Sequence, residues 1–394
     1  MTSSADVIVL GAGMAGASLA AELAPHRSVL LLEVEDQPGR HSTGRSAAMF
    51  FESYGNATIR ALTRASRAFL AEPPTGFCDV PLLSPRGCLF VADAARMPGL
   101  EAMFDPPEAA PSLRRLSVDE ALARVPVLRP EWLAGAACDE SGSDIDVAAL
   151  HAAYLRVAAR GGARLVLGAA EPVIERRHGL WRVRLRAGEF AAPVLVNATG
   201  AWADVVARQA GAAAVGLQPM RRTALLLPSP SGHDCRAWPL VIDADETFYF
   251  KPDAGSLLLS PANEDPMPPC DVMPEELDVA LAVDRFERAT TVAVTRITHR
   301  WAGLRSFVAD RTPVVGFDAV AEGFFWLAGQ GGYGIQTAPA LARAATALLV
   351  GSRLPDDLVR EGVTIAALNP SRTALRSSGV GRTTGALSPE RDRK

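Results

Sequence analysis

The feature that most constrains this chain lies at its start. Asp6-Val-Ile-Val-Leu10 is a short apolar run rich in β-branched residues, suited to a strand buried on both faces. Gly11-Ala-Gly13-Met-Ala-Gly16 follows directly, then the alanine- and leucine-rich segment 17–23, then a second apolar run, Ser28-Val-Leu-Leu-Leu-Glu33. Strand, glycine turn, helix and a strand ending in an acid make the opening unit of a dinucleotide-binding α/β fold. Gly11 permits the tight turn, Gly13 lets a pyrophosphate reach the backbone, and Gly16 lets helix and strand approach closely. Met14 and Ala15 open the helix, whose N–H groups and dipole favour phosphate. Glu33 is placed to accept hydrogen bonds from the adenosine ribose, which disfavours a 2′-phosphate.

The segment after Glu33 separates two dinucleotides. Asp36-Gln-Pro-Gly-Arg-His-Ser-Thr-Gly-Arg-Ser-Ala-Ala48 is polar and glycine-punctuated, with little to do beside a nicotinamide dinucleotide. It suits the linker of a flavin dinucleotide: Ser42, Thr43, Arg45 and Ser46 can meet phosphate or ribitol oxygens, with Ala47 and Ala48 beside them. The late run Gly329-Gln-Gly331-Gly332-Tyr333-Gly334, continuing into Ile335 and Gln336, allows a second close backbone approach, against the isoalloxazine. FAD is therefore expected. A nicotinamide-dependent dehydrogenase and a flavin-binding scaffold without turnover are the rival classes; a yellow protein excludes the first, and bleaching by substrate excludes the second.

Bulk properties narrow the partners. A net charge of −4 gives no basic surface for nucleic acid or anionic lipid. The five cysteines (Cys78, Cys88, Cys138, Cys235, Cys270) form no C-x-x-C pair, so neither zinc site nor disulfide framework is expected, and none of the six histidines makes a metal-like pair. No metal is expected. The apolar start lacks a basic leader, and no run approaches a membrane span. A cytoplasmic location is expected, with peripheral contact at the inner face of the membrane as one route to an electron acceptor.

Length calls for two domains: 394 residues exceed one simple core. The runs 193–197 and 324–328 read as further strands of the first sheet, each leading into glycine, Gly200 in the first case. Between them lie proline-rich turns and alternating strands such as Thr247-Phe-Tyr-Phe-Lys-Pro and 296–308. The expected architecture is α/β, a three-layer Rossmann-type FAD domain (1–80, 145–218 and 310–368) interrupted by a second, mainly antiparallel β domain with helices (81–144 and 219–309) that binds substrate. The segment 369–394, rich in Ser, Thr, Gly and Arg, reads as a disordered tail.

Longer stretches are familiar. His41-Ser-Thr-Gly-Arg-Ser-Ala-Ala48, Arg60-Ala-Leu-Thr-Arg-Ala-Ser-Arg-Ala-Phe69, Pro81-Leu-Leu-Ser-Pro-Arg86, Phe248-Tyr-Phe-Lys-Pro-Asp-Ala-Gly255, Trp301-Ala-Gly-Leu-Arg-Ser-Phe-Val-Ala-Asp310 and Gly331-Gly-Tyr-Gly-Ile-Gln-Thr337 span most of the chain. The sequence resembles the FAD-dependent D-amino acid oxidase and dehydrogenase family, most of all its D-arginine dehydrogenases. The resemblance implies non-covalent FAD and hydride transfer from the α-carbon of a D-amino acid to flavin N5. The product imino acid hydrolyses to a 2-oxo acid and ammonia. It also implies that Arg222 and Arg305 clamp the substrate carboxylate, that Tyr54 and Tyr249 hold and cover the substrate, and that backbone at Gly332 faces the amino group. Arginine forks match carboxylates, although one arginine among so many is usually a surface charge. Quinone, a dye-like carrier or O2 are the expected acceptors. Related oxidases of glycine, sarcosine, an L-amino acid or a secondary-amine intermediate remain alternatives, because handedness is not written in the sequence.

The departures concern the side-chain pocket. Where the D-arginine enzymes carry an acid, this chain has Cys88; where they carry histidine and threonine, it has Met49 and Phe51; Leu240 and Ile242 replace other apolar residues. An unpaired buried guanidinium costs several kcal/mol, whereas an apolar side chain gains ~1.5–3 kcal/mol from such walls. Apolar or aromatic substrates are thus expected over cationic ones. Glu52 is expected to face solvent, Cys88 to be a wall rather than a nucleophile, and His41 to be structural or flavin-proximal rather than a proton carrier.

Overall fold

A computed structural model describes residues 2–105, 112–170, 172–186 and 188–376; the strands and partners below are those of the described residues. The opening unit forms as read: strand Val7–Leu10, helix Met14–Leu23 and strand Val29–Leu32. They belong to a six-stranded sheet ordered Arg164–Val166, Val29–Leu32, Val7–Leu10, Val194–Asn197, Phe324–Ala328 and Val314–Phe317. Its first five strands are parallel and the last is antiparallel. Both faces are covered, which is why its strands read as unbroken apolar runs. Val7, Val9, Leu31, Val196 and Phe325 face the helices Met14–Leu23, Val147–Arg160 and Ala338–Val350, while Ile8, Leu10, Leu30, Leu195 and Trp326 face the other way.

The third layer, on that second side, is a β-sheet whose strands the sequence did not single out. A separate four-stranded sheet, Thr2–Ser4, Gly188–Ala192, Leu180–Leu185 and Val173–Arg177, packs Trp181, Val183 and Phe190 there. A small sheet of Met49–Phe50, Ser143–Ile145 and Leu83–Pro85 leads into the remaining part.

That part is a nine-stranded sheet, antiparallel except where Leu240–Asp243 meets Cys88–Ala92 in parallel. Its strands fall within 81–144 and 219–309 apart from Gln218, which begins Gln218–Pro228. Period-two alternation gives the sheet two faces. Leu89, Val241, Phe250, Leu225 and Leu257 pack under the helix Glu276–Ala289. Cys88, Phe90, Leu240, Ile242, Tyr249 and Leu258 form a cluster on the opposite face.

Of the segment expected to be a tail, residues 369–376 belong to the fold. Arg372 makes a two-toothed ion pair with Asp310 and donates to the Thr312 and Pro313 carbonyls, and Thr373–Arg376 is helical. The apolar-poor composition concealed an anchor made by one arginine. Residues 377–394 lie outside the described part. Among the described residues no helix is long and apolar enough to cross a membrane.

Candidate active site

A cavity of about 500 Å³ begins at the carboxyl ends of the parallel strands, where α/β sheets take their ligands, and runs to Arg222, Tyr249 and Arg305. At the nucleotide end it is lined by Gly11, Gly13, Met14, Ala15 and Glu33. Gly16 does not line it: a Cβ there would sit 1.9 Å from the Gly11 carbonyl oxygen, so its task is the close approach of helix to turn. Glu33 Oε2 accepts from the Ala12 N–H at 2.7 Å and Oε1 from the Glu35 N–H at 3.1 Å. Each carboxylate oxygen keeps a second lone pair, so Glu33 still has acceptor capacity for ribose hydroxyls.

Ser42, Thr43, Arg45, Ser46 and Ala47 line the middle, with Gly200 opposite. The polar groups of Ser42, Thr43 and Arg45 are already used in ways the sequence did not reveal. Thr43 Oγ1 accepts from the Met14 N–H at 2.9 Å, and Ser42 Oγ donates to the Leu304 carbonyl at 2.6 Å. Arg45, expected to meet phosphate, is instead held by Asp271 and by the Val272 and Ala302 carbonyls, both at 3.1 Å. It ties the linker to residues 271 and 272 and to the strand His299–Phe307. His41 pairs with Glu35 at 2.8 Å and packs on Trp202.

The far end is set by strand register. Gln218–Pro228 pairs with His299–Phe307 so that Arg222 lies opposite Gly303 and Met220 opposite Arg305. Partners in an antiparallel pair share a face, so Arg222 and Arg305 project together. The Gly331–Gly334 turn crosses them: Gly331, Gly332, Gly334 and Ile335 line the cavity. A Cβ on Gly332 would lie 2.9 Å from Arg305 Nη1, so this backbone rests directly on the guanidinium, and a larger residue would push the arginine aside. Ala48, Tyr333 and Gln336 do not line the cavity, contrary to expectation. Ala48 accepts from the Ile145 N–H, Gln336 bridges the Phe51 N–H and Thr63, and Tyr333 packs edge-on against Tyr54 at 4.8 Å.

The two arginines are incompletely neutralised. Arg222, 8% exposed, donates to Glu264 at 3.0 Å, but Glu264 also holds Arg311 through two bonds, and the buried Nε of Arg222 has no partner. Arg305 donates to the Tyr54 hydroxyl at 3.3 Å and is paired with no carboxylate among the described residues. Burial and the like charge of Arg305 pull the Arg222 pKa down. Burial also opposes the charge of Arg305, but Tyr54, Tyr249 and Glu246 outweigh it and hold it up. Burial raises the Tyr54 phenol. For Tyr249 burial acts the same way but is outweighed by Arg305 and Arg222, which lower it.

Glu264 and Glu246 were missed, since nothing in their spacing links them to Arg222 and Arg305, which lie more than twenty positions away in each case. Glu246 occupies the tight hairpin between Leu240–Asp243 and Tyr249–Asp253 with φ of 52°, a conformation unusual enough for a non-glycine to mark the spot. Its side chain reaches water, yet protein surrounds it closely enough that burial raises its carboxyl against the pull of Arg222 and Arg305.

Met49, Phe51, Cys88, Leu240 and Ile242 do converge, in one cluster with Tyr249. They are packed against each other, all at most 9% exposed, and none lines the cavity. Phe51 stacks on Tyr54 at 4.7 Å. Burial pushes the Cys88 thiol well up, which suits a wall and not a nucleophile. Glu52, expected to face solvent, is instead held in an ion pair with Arg67, its side chain only 17% exposed.

Comparison with known proteins agrees with this geometry. Residues 6–348 match the family described as FAD dependent oxidoreductase. A curated relative, FAD-dependent oxidoreductase domain-containing protein 1 of Xenopus laevis, is 26% identical over 178 residues, 40% of this chain and 34% of that protein; the match thus spans about a third of the relative. Glycine oxidase from Geobacillus kaustophilus superposes with a TM-score of 0.77 at 23% identity, covering 92% of this chain and 99% of that one. L-alpha-glycerophosphate oxidase from Mycoplasma pneumoniae, solved with FAD bound, gives 0.78 at 17% identity over 89% and 95%. Those two oxidases have different substrates, so the shared architecture does not choose one. The glycine turn, the acid at the second strand and the backbone cradle all fit FAD, and with the match over most of its length the chain belongs to the FAD dependent oxidoreductase family.

Proposed function

We propose that this protein oxidises the α-carbon of a D-amino acid, giving an imino acid that water converts to a 2-oxo acid and ammonia. The observation that carries the reading is the pair Arg222 and Arg305 at the end of the FAD cavity, with an orphaned buried Nε on the first and no carboxylate on the second. A buried donor without an acceptor costs about 1–3 kcal/mol, which an anionic substrate head repays. FAD, when bound, supplies the acceptor for the hydride that leaves the α-carbon.

The chain's own work is positioning. The arginine forks receive the carboxylate; Tyr249 lines the cavity beside them, and Tyr54, which does not line it, accepts from Arg305 and holds that guanidinium. The substrate must present a neutral amine, because the nitrogen lone pair forms the C=N bond as hydride departs; the amine proton goes to water. D-handedness rests on the sequence resemblance. Preference for an apolar side chain rests on the cluster of Met49, Phe51, Cys88, Leu240 and Ile242.

A second reading has its own support. Because that cluster is packed and does not line the cavity, a substrate with little or no side chain, such as glycine or sarcosine, needs no rearrangement. Anaerobic mixing with single D- and L-amino acids, glycine and sarcosine, followed through the visible flavin band and then by admitting air, tests both. Bleaching by apolar D-amino acids ahead of D-arginine supports the first reading. Bleaching by glycine or sarcosine alone supports the second, and D-arginine as the fastest reductant contradicts the apolar preference.

A further inference from the structure

His151 is a buried imidazole far from the substrate end, on the helix Val147–Arg160 that packs against the glycine-turn helix. Its Nε2 lies 2.9 Å from the Ala12 carbonyl oxygen, 139 residues away in sequence. A carbonyl only accepts, so Nε2 carries the proton and donates. The other edge of the ring lies against Gly39, where a Cβ would come within 2.9 Å of Cε1. The ring thus fills the space between the glycine turn and the loop that brings Thr43 to the Met14 N–H.

Ala12 is fully buried, so both its backbone groups need protein partners. Glu33 takes the N–H and His151 takes the C=O. The Ala12 carbonyl and the Gly13 N–H share one planar trans peptide and point in opposite directions. Fixing the carbonyl therefore fixes the N–H. Gly13 lines the cavity, and among the described residues its N–H has no protein acceptor.

We infer that His151 is a positioning residue for the cofactor: its Nε2–H holds the Ala12–Gly13 peptide so that the Gly13 N–H is presented to the FAD diphosphate. Glu33, from the strand side, and His151, from the helix side, clamp the same turn.

Stripping FAD from the holoenzyme and titrating the apoprotein with FAD, and separately with ADP, reads this directly. His151→Phe keeps the ring's shape and removes the donor; it should weaken FAD and ADP by a similar factor, about tenfold. His151→Gln, which can still reach with an N–H, should recover most of that loss. Wild-type affinity in His151→Phe overturns the inference, as does weakened FAD with unchanged ADP, which would place the effect away from the diphosphate. Should His151→Phe not fold, His151→Gln against the shorter His151→Asn decides: equal FAD affinities overturn the proposal, and weaker binding by His151→Asn supports it.

Discussion

Arg221 and Arg222 are neighbours on one strand and point to opposite faces of the same sheet, and their surroundings could hardly differ more. Arg221 is met by Asp278 at 2.9 Å, Asp265 at 3.2 Å and Glu275, with Thr223 also donating to Asp278. Arg222 shares one carboxylate with Arg311, repels Arg305 and keeps a buried nitrogen without a partner. Identical side chains thus divide into a saturated structural cation and an unsaturated one. The second arrangement is the one that the proposed carboxylate clamp requires.

The comparison breaks if the two faces respond alike to mutation. Arg305→Leu should lower kcat/KM by roughly 10²–10⁴, the worth of two charge-assisted hydrogen bonds at ~1.5–3 kcal/mol each, while thermal melting stays close to the parent's. Arg221→Leu should do the reverse. It leaves the buried Asp278 uncompensated, so unfolding should become easier by ~3–5 kcal/mol, with kcat/KM little changed at temperatures where the variant is folded. Denaturant melts and steady-state rates on both variants separate the two effects.

Smaller changes sharpen the picture. Tyr54→Phe removes the hydroxyl that accepts from Arg305, and KM should rise by roughly 2–10-fold with a smaller change in kcat, the range of one ordinary hydrogen bond. An unchanged KM would mean that Tyr54 only packs. The smallest effect is a pH dependence. Burial holds the Glu246 carboxyl above the usual ~4.3, so it takes up a proton while ordinary carboxylates are still charged. Protonation removes a negative charge that offsets Arg222 and Arg305. Binding of a simple carboxylate inhibitor should therefore tighten a few-fold as pH falls through that window, and Glu246→Gln should abolish the dependence. Weaker binding at lower pH in the parent would show that Glu246 does not act on the arginines.

The two ends of the cavity were not equally readable. The nucleotide end was legible because its signals are local: Gly11, Gly13 and Gly16 lie within one turn of chain, and Val7–Leu10 and Val29–Leu32 are apolar on both faces. Even there the partners that hold Arg45, which does line the cavity, were not legible, since Asp271, Val272 and Ala302 lie more than two hundred residues on. The substrate end depends on register. That Arg222 and Arg305 share a face follows from the pairing of two strands about eighty residues apart, which no periodicity encodes, and only the resemblance singled them out. Glu264, Glu246 and His151 carry no local signature at all. The four-stranded sheet was missed for a plainer reason: 173–177 alternates weakly and exposes most of its residues.

The most direct test of the carboxylate clamp needs no mutation. The holoenzyme is mixed anaerobically with D-leucine and, separately, with the amine that decarboxylation of leucine would give, and loss of the visible flavin band is followed as a function of concentration. Reduction by the amino acid, with the amine slower by roughly 10²-fold or more at equal concentration, is the expected result. Equal reduction by the two would contradict the account, because the arginine pair would then contribute nothing to holding the substrate.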